Sequence, residues 1–179
     1  MRRLFFVLFL TGCGFLSKSA PPKLYSLDRV APAAAVPARP PALPIGIDNV
    51  ELPPGVDRRE LVVRQPDNRL EVRNNEQWSA PFRDLVLHTL AFDLAARLPV
   101  GEVIVPGEPR PAAARAVSVS FEELAAHADK TVVLDARWIV QNVAHHDRIV
   151  VNVPSLDAAA IAAGVSQALG GLADRMAAP

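Results

Sequence analysis

The stretch VSVSFEELAAHADKTVVLDARWIVQNVAHHDRIVVNV, residues 117–153, decides the fold. Val117, Val119 and Phe121 alternate with Ser118, Ser120 and Glu122, so one face of a strand turns inward and the other meets water. Val132, Leu134, Ala136, Trp138 and Val140 alternate in the same way against Asp135, Arg137 and Gln141, which predicts a long second strand. Ala144-His145-His146-Asp147 is then expected to turn the chain, with Ile149, Val151 and Val153 on the return strand.

Helical spacing takes over directly afterwards. Ser155 and Asp157 can cap a last helix whose inner face is Ile161, Val165, Leu169, Leu172 and Met176. Gly170-Gly171 within it costs roughly 1 kcal/mol per glycine relative to alanine, so the end is expected to fray. Upstream, SAPFRDLVLHTLAFDLAARLP (79–99) predicts another helix, with Ser79 as cap, Pro81 in the first turn and Asp84 at the positive end of the dipole. Leu87, Leu90, Leu94 and Leu98 share one side and Phe82, Leu85 and Phe92 another, so this helix should be deeply packed.

Ahead of that helix, Ile45, Ile47, Val50 and Leu52 suggest a strand ending at Pro53-Pro54-Gly55. Residues 61–64 and 70–73 read as a hairpin around Pro66-Asp67-Asn68, with Asn74-Asn75 expected to break the sheet. The order strands, helix, strands, helix argues for an α+β fold: one mixed or mainly antiparallel sheet covered by two helices, an order that also admits two related halves. The globular domain is expected over residues 45–179, with Leu24-Tyr25-Ser26-Leu27 as a candidate extra strand.

Residues 31–44 read APAAAVPARPPALP. Proline fixes φ and donates no backbone hydrogen bond, so this segment is expected to be an extended linker, spanning roughly 40 Å at ~3.1 Å per residue. The alternative is that residues 25–27 rejoin the sheet and fold the spacer back as a loop.

The N-terminus is MRRLFFVLFLTGCGFLSKS. Arg2 and Arg3 precede the apolar run Leu4 to Leu10, and small residues lead to Cys13, the only cysteine, which is the layout of a secretory signal. The uncharged stretch from Leu4 to Leu16 is shorter than the ~17–25 residues a transmembrane helix needs. Residues 1–12 are therefore expected to be a signal peptide and residues 13–44 a tether. A 12-residue signal is short against the usual ~15–30, which a start codon placed too far downstream would explain. The plain alternative for Cys13 is a small hydrophobe discarded with the signal.

A lone cysteine forms no internal disulfide and offers no cysteine-rich zinc site. The formal charge is 0, becoming −2 once Arg2 and Arg3 leave, so nothing in the balance favours nucleic acid. No catalytic constellation is legible. His145-His146 lacks accompanying ligands, and His88 beside Asp84 reads as a helix-surface ion pair before it reads as an oriented base. No serine sits in a G-x-S-x-G elbow, and no strand or P-loop lysine frames Gly170-Gly171. Neither a cofactor nor a metal is expected, and the chain reads as a non-enzyme.

Leu10-Thr11-Gly12-Cys13 resembles the lipobox of bacterial lipoproteins, whose cysteine carries the lipid anchor. The block from Ile45 to Pro99 resembles the ABC-type transport auxiliary lipoproteins, the PqiC-like family. The resemblance rests on Tyr25-Ser26-Leu27, Leu52-Pro53 with Asp57-Arg58, Leu61 to Arg64, and Trp78 with Pro81. Departures stand at Gly55-Val56 and Ala80, where the family often has an aromatic or leucine pair and an acidic residue.

The resemblance implies a periplasmic lipoprotein that assists an intermembrane lipid transport system, working with an ABC transporter and an MCE-domain protein. Gly14 after the cysteine is compatible with sorting to the outer membrane. Asp57, Arg58, Trp78 and Pro81 are candidate partner contacts, against the alternative of a local ion pair for Asp57-Arg58 and a core plug for Trp78. Self-association stays open. A second reading is a lipid carrier holding an acyl chain between sheet and helices, which requires a sizeable apolar cavity.

Overall fold

The computed structural model describes residues 20–33, 42–140 and 142–178. The expected signal peptide, Cys13 and Gly14 lie outside the described residues. Eight strands and two helices follow in the order β1 (Lys23–Tyr25), β2 (Ile45–Glu51), β3 (Glu60–Arg64), β4 (Leu70–Trp78), α1 (Phe82–Ala95), β5 (Val103–Ile104), β6 (Arg115–His127), β7 (Thr131–Val140), β8 (Val143–Asn152) and α2 (Ala158–Ala177). The fold is α+β, with one mixed sheet and two helices.

The sheet is organised around β6, its longest strand at 13 residues. On one side β6 pairs antiparallel with β7, and β7 with β8. On the other side its first half runs parallel to β2, which carries β5, and its last two residues run parallel to β3. Beyond β3 come antiparallel β4 and then β1, parallel to β4.

Both helices lie on one face, α1 over β2 and β5, α2 over β6, β7 and β8, and they pack on each other. Val50, Leu61, Val63, Val117, Leu124, Val132 and Leu134 meet Val86, Leu90, Leu94, Ile161, Val165, Leu169 and Leu172 in a single core. At roughly 1.5–3 kcal/mol for each fully buried aliphatic side chain, this layer is the main stabilising term.

Several sequence expectations need correction. The turn after β7 is not at residues 144–147: Val140 pairs directly with Val143, Asn142 adopts φ 63°, and residues 144–147 lie within β8. A two-residue loop with positive φ suits the twist of a hairpin, and asparagine tolerates it. Asn74-Asn75 does not end β4. It marks a register shift: Arg73 pairs with Leu61 of β3, pairing to β3 resumes at Gln77 with Glu60, and Glu76 to Trp78 also take on β1 at the other side.

Ser79 is not the cap of α1, because Pro81 holds that position without a side-chain hydrogen bond. Asp157 does cap α2, accepting from the Ala160 backbone N–H. The expected fraying at Gly170-Gly171 does not occur, and α2 continues to Ala177. A Cβ on Gly170 would stand 2.7 Å from the Cβ of Val30, so the glycine is there to admit the N-terminal segment.

Candidate functional site

The segment ahead of β2, residues 23–33, is itself part of the fold. β1 adds to β4, the Ser79 N–H donates to the Tyr25 carbonyl, and residues 27–33 cross the groove between α1 and α2. Leu27 is buried there, and the Asp28 N–H donates to Ser166 Oγ at 3.0 Å. The Arg29 guanidinium sits 3.6 Å from the centre of the Phe92 ring, a cation–π contact.

Asp93 in the last turn of α1 and Arg97, four residues on in the turn just past the helix end, clamp this strap. The Val30 N–H donates to Asp93 Oδ1 at 2.8 Å. Arg97 donates to the carbonyls of Val30 at 3.0 Å and Ala31 at 3.3 Å, and pairs with Asp174 of α2 at 2.6 Å. The Arg97 side chain is 2 % exposed, so every one of these bonds matters. Asp93 is fully buried and its second carboxylate oxygen lacks a hydrogen-bond partner. Burial raises its pKa, opposed by the Val30 N–H and the charge of Arg97. The clamp escaped the sequence reading. Its signal was available: a charged pair at i, i+4 between Leu90, Leu94 and Leu98 has nowhere to go but the core.

Both ends of the proline-rich segment are therefore held on the domain. Ala31 is gripped by Arg97, and the Ala42 N–H donates to Glu102 at 3.1 Å. With both ends on the domain, the segment adds no 40 Å of reach ahead of it.

The four candidate contact residues cluster only in part. Trp78 is buried and stacks on Phe82 with ring centres 4.6 Å apart, which makes it a core plug. Asp57 and Arg58 do not pair with each other. Asp57 bonds Arg83 of α1, tying the loop after β2 to the helix start at exposed Pro81, while Arg58 pairs with Glu60 at 2.9 Å.

The face of the sheet away from the helices carries a charged network. Asp135 accepts from His146 at 2.6 Å and Arg148 at 2.9 Å, Glu122 pairs with Arg137 at 2.7 Å, and Glu123 with Arg64 at 3.3 Å. Burial works against ionisation of Asp135, but the bonds from His146 and Arg148 outweigh it and hold its pKa below the usual value. Glu122, Asp135 and His146 bring three ligand atoms within 4.8 Å of one another. Two arginines already neutralise those carboxylates and would repel a cation, so the cluster reads as a surface ion-pair network.

The opposite face holds the other polar device: Trp138 donates from Nε1 to Asp147 at 3.0 Å, stacks on His145 at 3.9 Å, and Arg175 of α2 pairs with Asp147 at 2.8 Å. His145 and His146 thus point to opposite faces. His88 bonds the backbone carbonyl of Asp84, at 2.7 Å, in place of the expected ion pair. The cavity lined by Trp78, Phe82, Leu124, Ile161 and Val165 between sheet and helices measures about 10 Å³, room for about one water and not an acyl chain. Among the described residues no helix is long and apolar enough to cross a membrane.

Mixed sheets with two helices of this kind occur in solved structures. One, described as the crystal structure of an uncharacterized protein, superposes with a TM-score of 0.70 at 16 % identity, covering 88 % of this chain and 97 % of its own. Protein XCC0632 from Xanthomonas campestris, of a domain family of unknown function, superposes with a TM-score of 0.62, also at 16 % identity, covering 87 % and 92 %. At that identity the likeness is one of fold. No curated protein matches the chain in sequence. Residues 25–177 match the family described as the ABC-type transport auxiliary lipoprotein component, and the chain belongs to that family. The match begins at Tyr25 in β1, in keeping with a domain that includes the strap.

Proposed function

We propose that this protein is a non-enzymatic docking component of an ABC transport system that moves lipid between membranes, held at the periplasmic face of the outer membrane by acyl chains on Cys13. The observation that carries the reading is the family match over residues 25–177 behind a lipobox-like Leu10-Thr11-Gly12-Cys13. An MCE-domain protein is the partner that the family resemblance favours. Acyl chains contribute ~0.8 kcal/mol per buried CH₂, and more than one chain gives stable anchoring.

Asp57, Arg58 and Pro81 remain the candidate contacts at the start of α1, with Trp78 supporting them from the core. Cys13 precedes Lys23 by ten residues, a length of chain that spans at most about 35 Å. Such a tether keeps the domain close to its membrane, where a partner must come to it.

The test is affinity capture of the tagged chain from native membranes, with fatty-acid labelling of the wild type and Cys13→Ser. The reading expects label on the wild type alone and co-recovery of an MCE-domain or permease component. A wild-type chain that is unlabelled and freely soluble would overturn the anchor, and one that brings down no transporter component would overturn the docking role.

A further inference from the structure

Sheet edges offer unpaired backbone groups, and this protein protects two of its edges but leaves the third open. At the β4 side, β1 is only three residues long and follows Pro21 and Pro22, and the rest of β4 is charged and offset from β3. At the β2 side, β5 is two residues long and β2 is bulged at Asp48. These are the usual devices against pairing with another chain. The third edge is β8, with ten residues, no proline and an unbroken register against β7.

The charges on β8 do not guard it, because they are turned to other tasks. His146 and Arg148 bond Asp135 of β7, and Asp147 bonds Trp138 and Arg175. The turn that closes at Val140 and Val143 makes that pair a hydrogen-bonded one, and the alternation of antiparallel pairs then follows. Val143, His145, Asp147, Ile149 and Val151 spend their backbone groups on β7. Ala144, His146, Arg148, Val150 and Asn152 point theirs outward, and among the described residues β8 has no second strand partner.

We infer that the β8 edge is a docking strand for an extended segment of a transporter component, which adds to the sheet as a ninth strand. This rests on the docking function proposed above. A second copy fits the edge poorly. Full antiparallel overlap with the helices on one side requires directly opposed residues to share a face, which sets Asp147 against Asp147 or Arg148 against Arg148, and like charges opposed are destabilising.

The edge instead asks for a segment with a carboxylate opposite Arg148 and an apolar residue two positions along, opposite Val150. The Arg148 side chain is 54 % exposed, leaving donors free on the outer side, and Val150 is equally exposed. Such β-addition takes its affinity from the main chain and its choice of partner from alternate side chains.

The test uses the full lipoprotein in native membranes. Val150→Pro removes an outward N–H while sparing the β7 ladder, and Val150→Thr keeps that N–H. The expected result is a loss of about tenfold or more in the transporter component captured by Val150→Pro, with Val150→Thr unchanged, and a slowing of about tenfold or more in amide exchange at His146, Arg148 and Val150 in the assembly. A photo-crosslinking side chain at position 152 should mark one extended segment of that component, which keeps the question decidable if the proline variant misfolds.

Component captured by the wild type without amide protection or crosslinks at β8 would overturn this docking edge and leave the function standing. Protection in the isolated chain together with a doubled mass would overturn it in favour of self-pairing. Absence of any captured component would instead strike at the function itself.

Discussion

Arg97, just past the end of α1, reaches Asp174 on α2 at 2.6 Å and, in the same gesture, holds the carbonyls of Val30 and Ala31. One side chain joins the two helices to the N-terminal strap.

Removing that side chain leaves the Val30 and Ala31 carbonyls and the Asp174 carboxylate without their donor. Asp174 is 37 % exposed and is rehydrated by solvent, so Arg97→Ala should cost about 1.5–3 kcal/mol, the range for hydrogen bonds to a charged group. Denaturant unfolding measures the loss, and limited proteolysis should find new cleavage between residues 23 and 33. Arg97→Lys should recover only part, since a point charge cannot serve four acceptor groups spread around a fork, the carbonyls of Val30, Ala31 and Asp93 and the Asp174 carboxylate.

Gly170→Ala places a methyl group 2.7 Å from the Val30 Cβ. Helix propensity alone would favour alanine by about 1 kcal/mol, so a destabilised variant would show that the strap packs on α2 as described. The expected outcome is a net loss of about 1–3 kcal/mol, the range for overpacking, relieved by pairing it with Val30→Ala.

Asp93→Asn should be well tolerated at neutral pH. Burial raises the Asp93 pKa, so in the folded state this group binds its proton more tightly than in the unfolded chain, and its contribution to stability falls as pH rises from the usual carboxylate value through the folded one. The wild type should therefore lose ground relative to Asp93→Asn as pH climbs from 4 toward 7, read from thermal melts across that range.

Asp147 behaves in the opposite sense. Burial alone would raise its pKa, but the bonds from Trp138 and Arg175 outweigh that and lower it. Its contribution is complete above the ordinary carboxylate value of about 3.9 and is lost as pH falls through the lower folded one. Trp138→Phe should cost about 1.5–3 kcal/mol at pH 7, the value of a hydrogen bond to a charged group, with the difference narrowing in acid.

Much of this fold can be read in the chain because β7 and α2 keep strict periods of two and about 3.6. β6 is legible only to Phe121, since a bulge between Phe121 and Glu123 shifts the register and leaves Leu124, Ala125 and Ala126 all buried. Alternation cannot report a strand across such a slip. His145-His146-Asp147 looks like a turn because it is polar, yet each residue has a partner across the hairpin or on α2. The strap was hidden for a different reason: Asp28 to Ala33 bond to residues 63 to 141 positions away, and no local pattern encodes that.

The grip of Arg97 and Glu102 on either end of residues 34–41 divides the N-terminal region into two kinds of sequence. Inserting residues between 34 and 41 only enlarges a closed circuit, at about 0.6 kcal/mol for each doubling, and leaves the stand-off from the lipid unchanged. With the anchor at Cys13 as proposed, inserting them between 14 and 22 would lengthen the leash directly, so those few positions would set how far from the bilayer the domain can work.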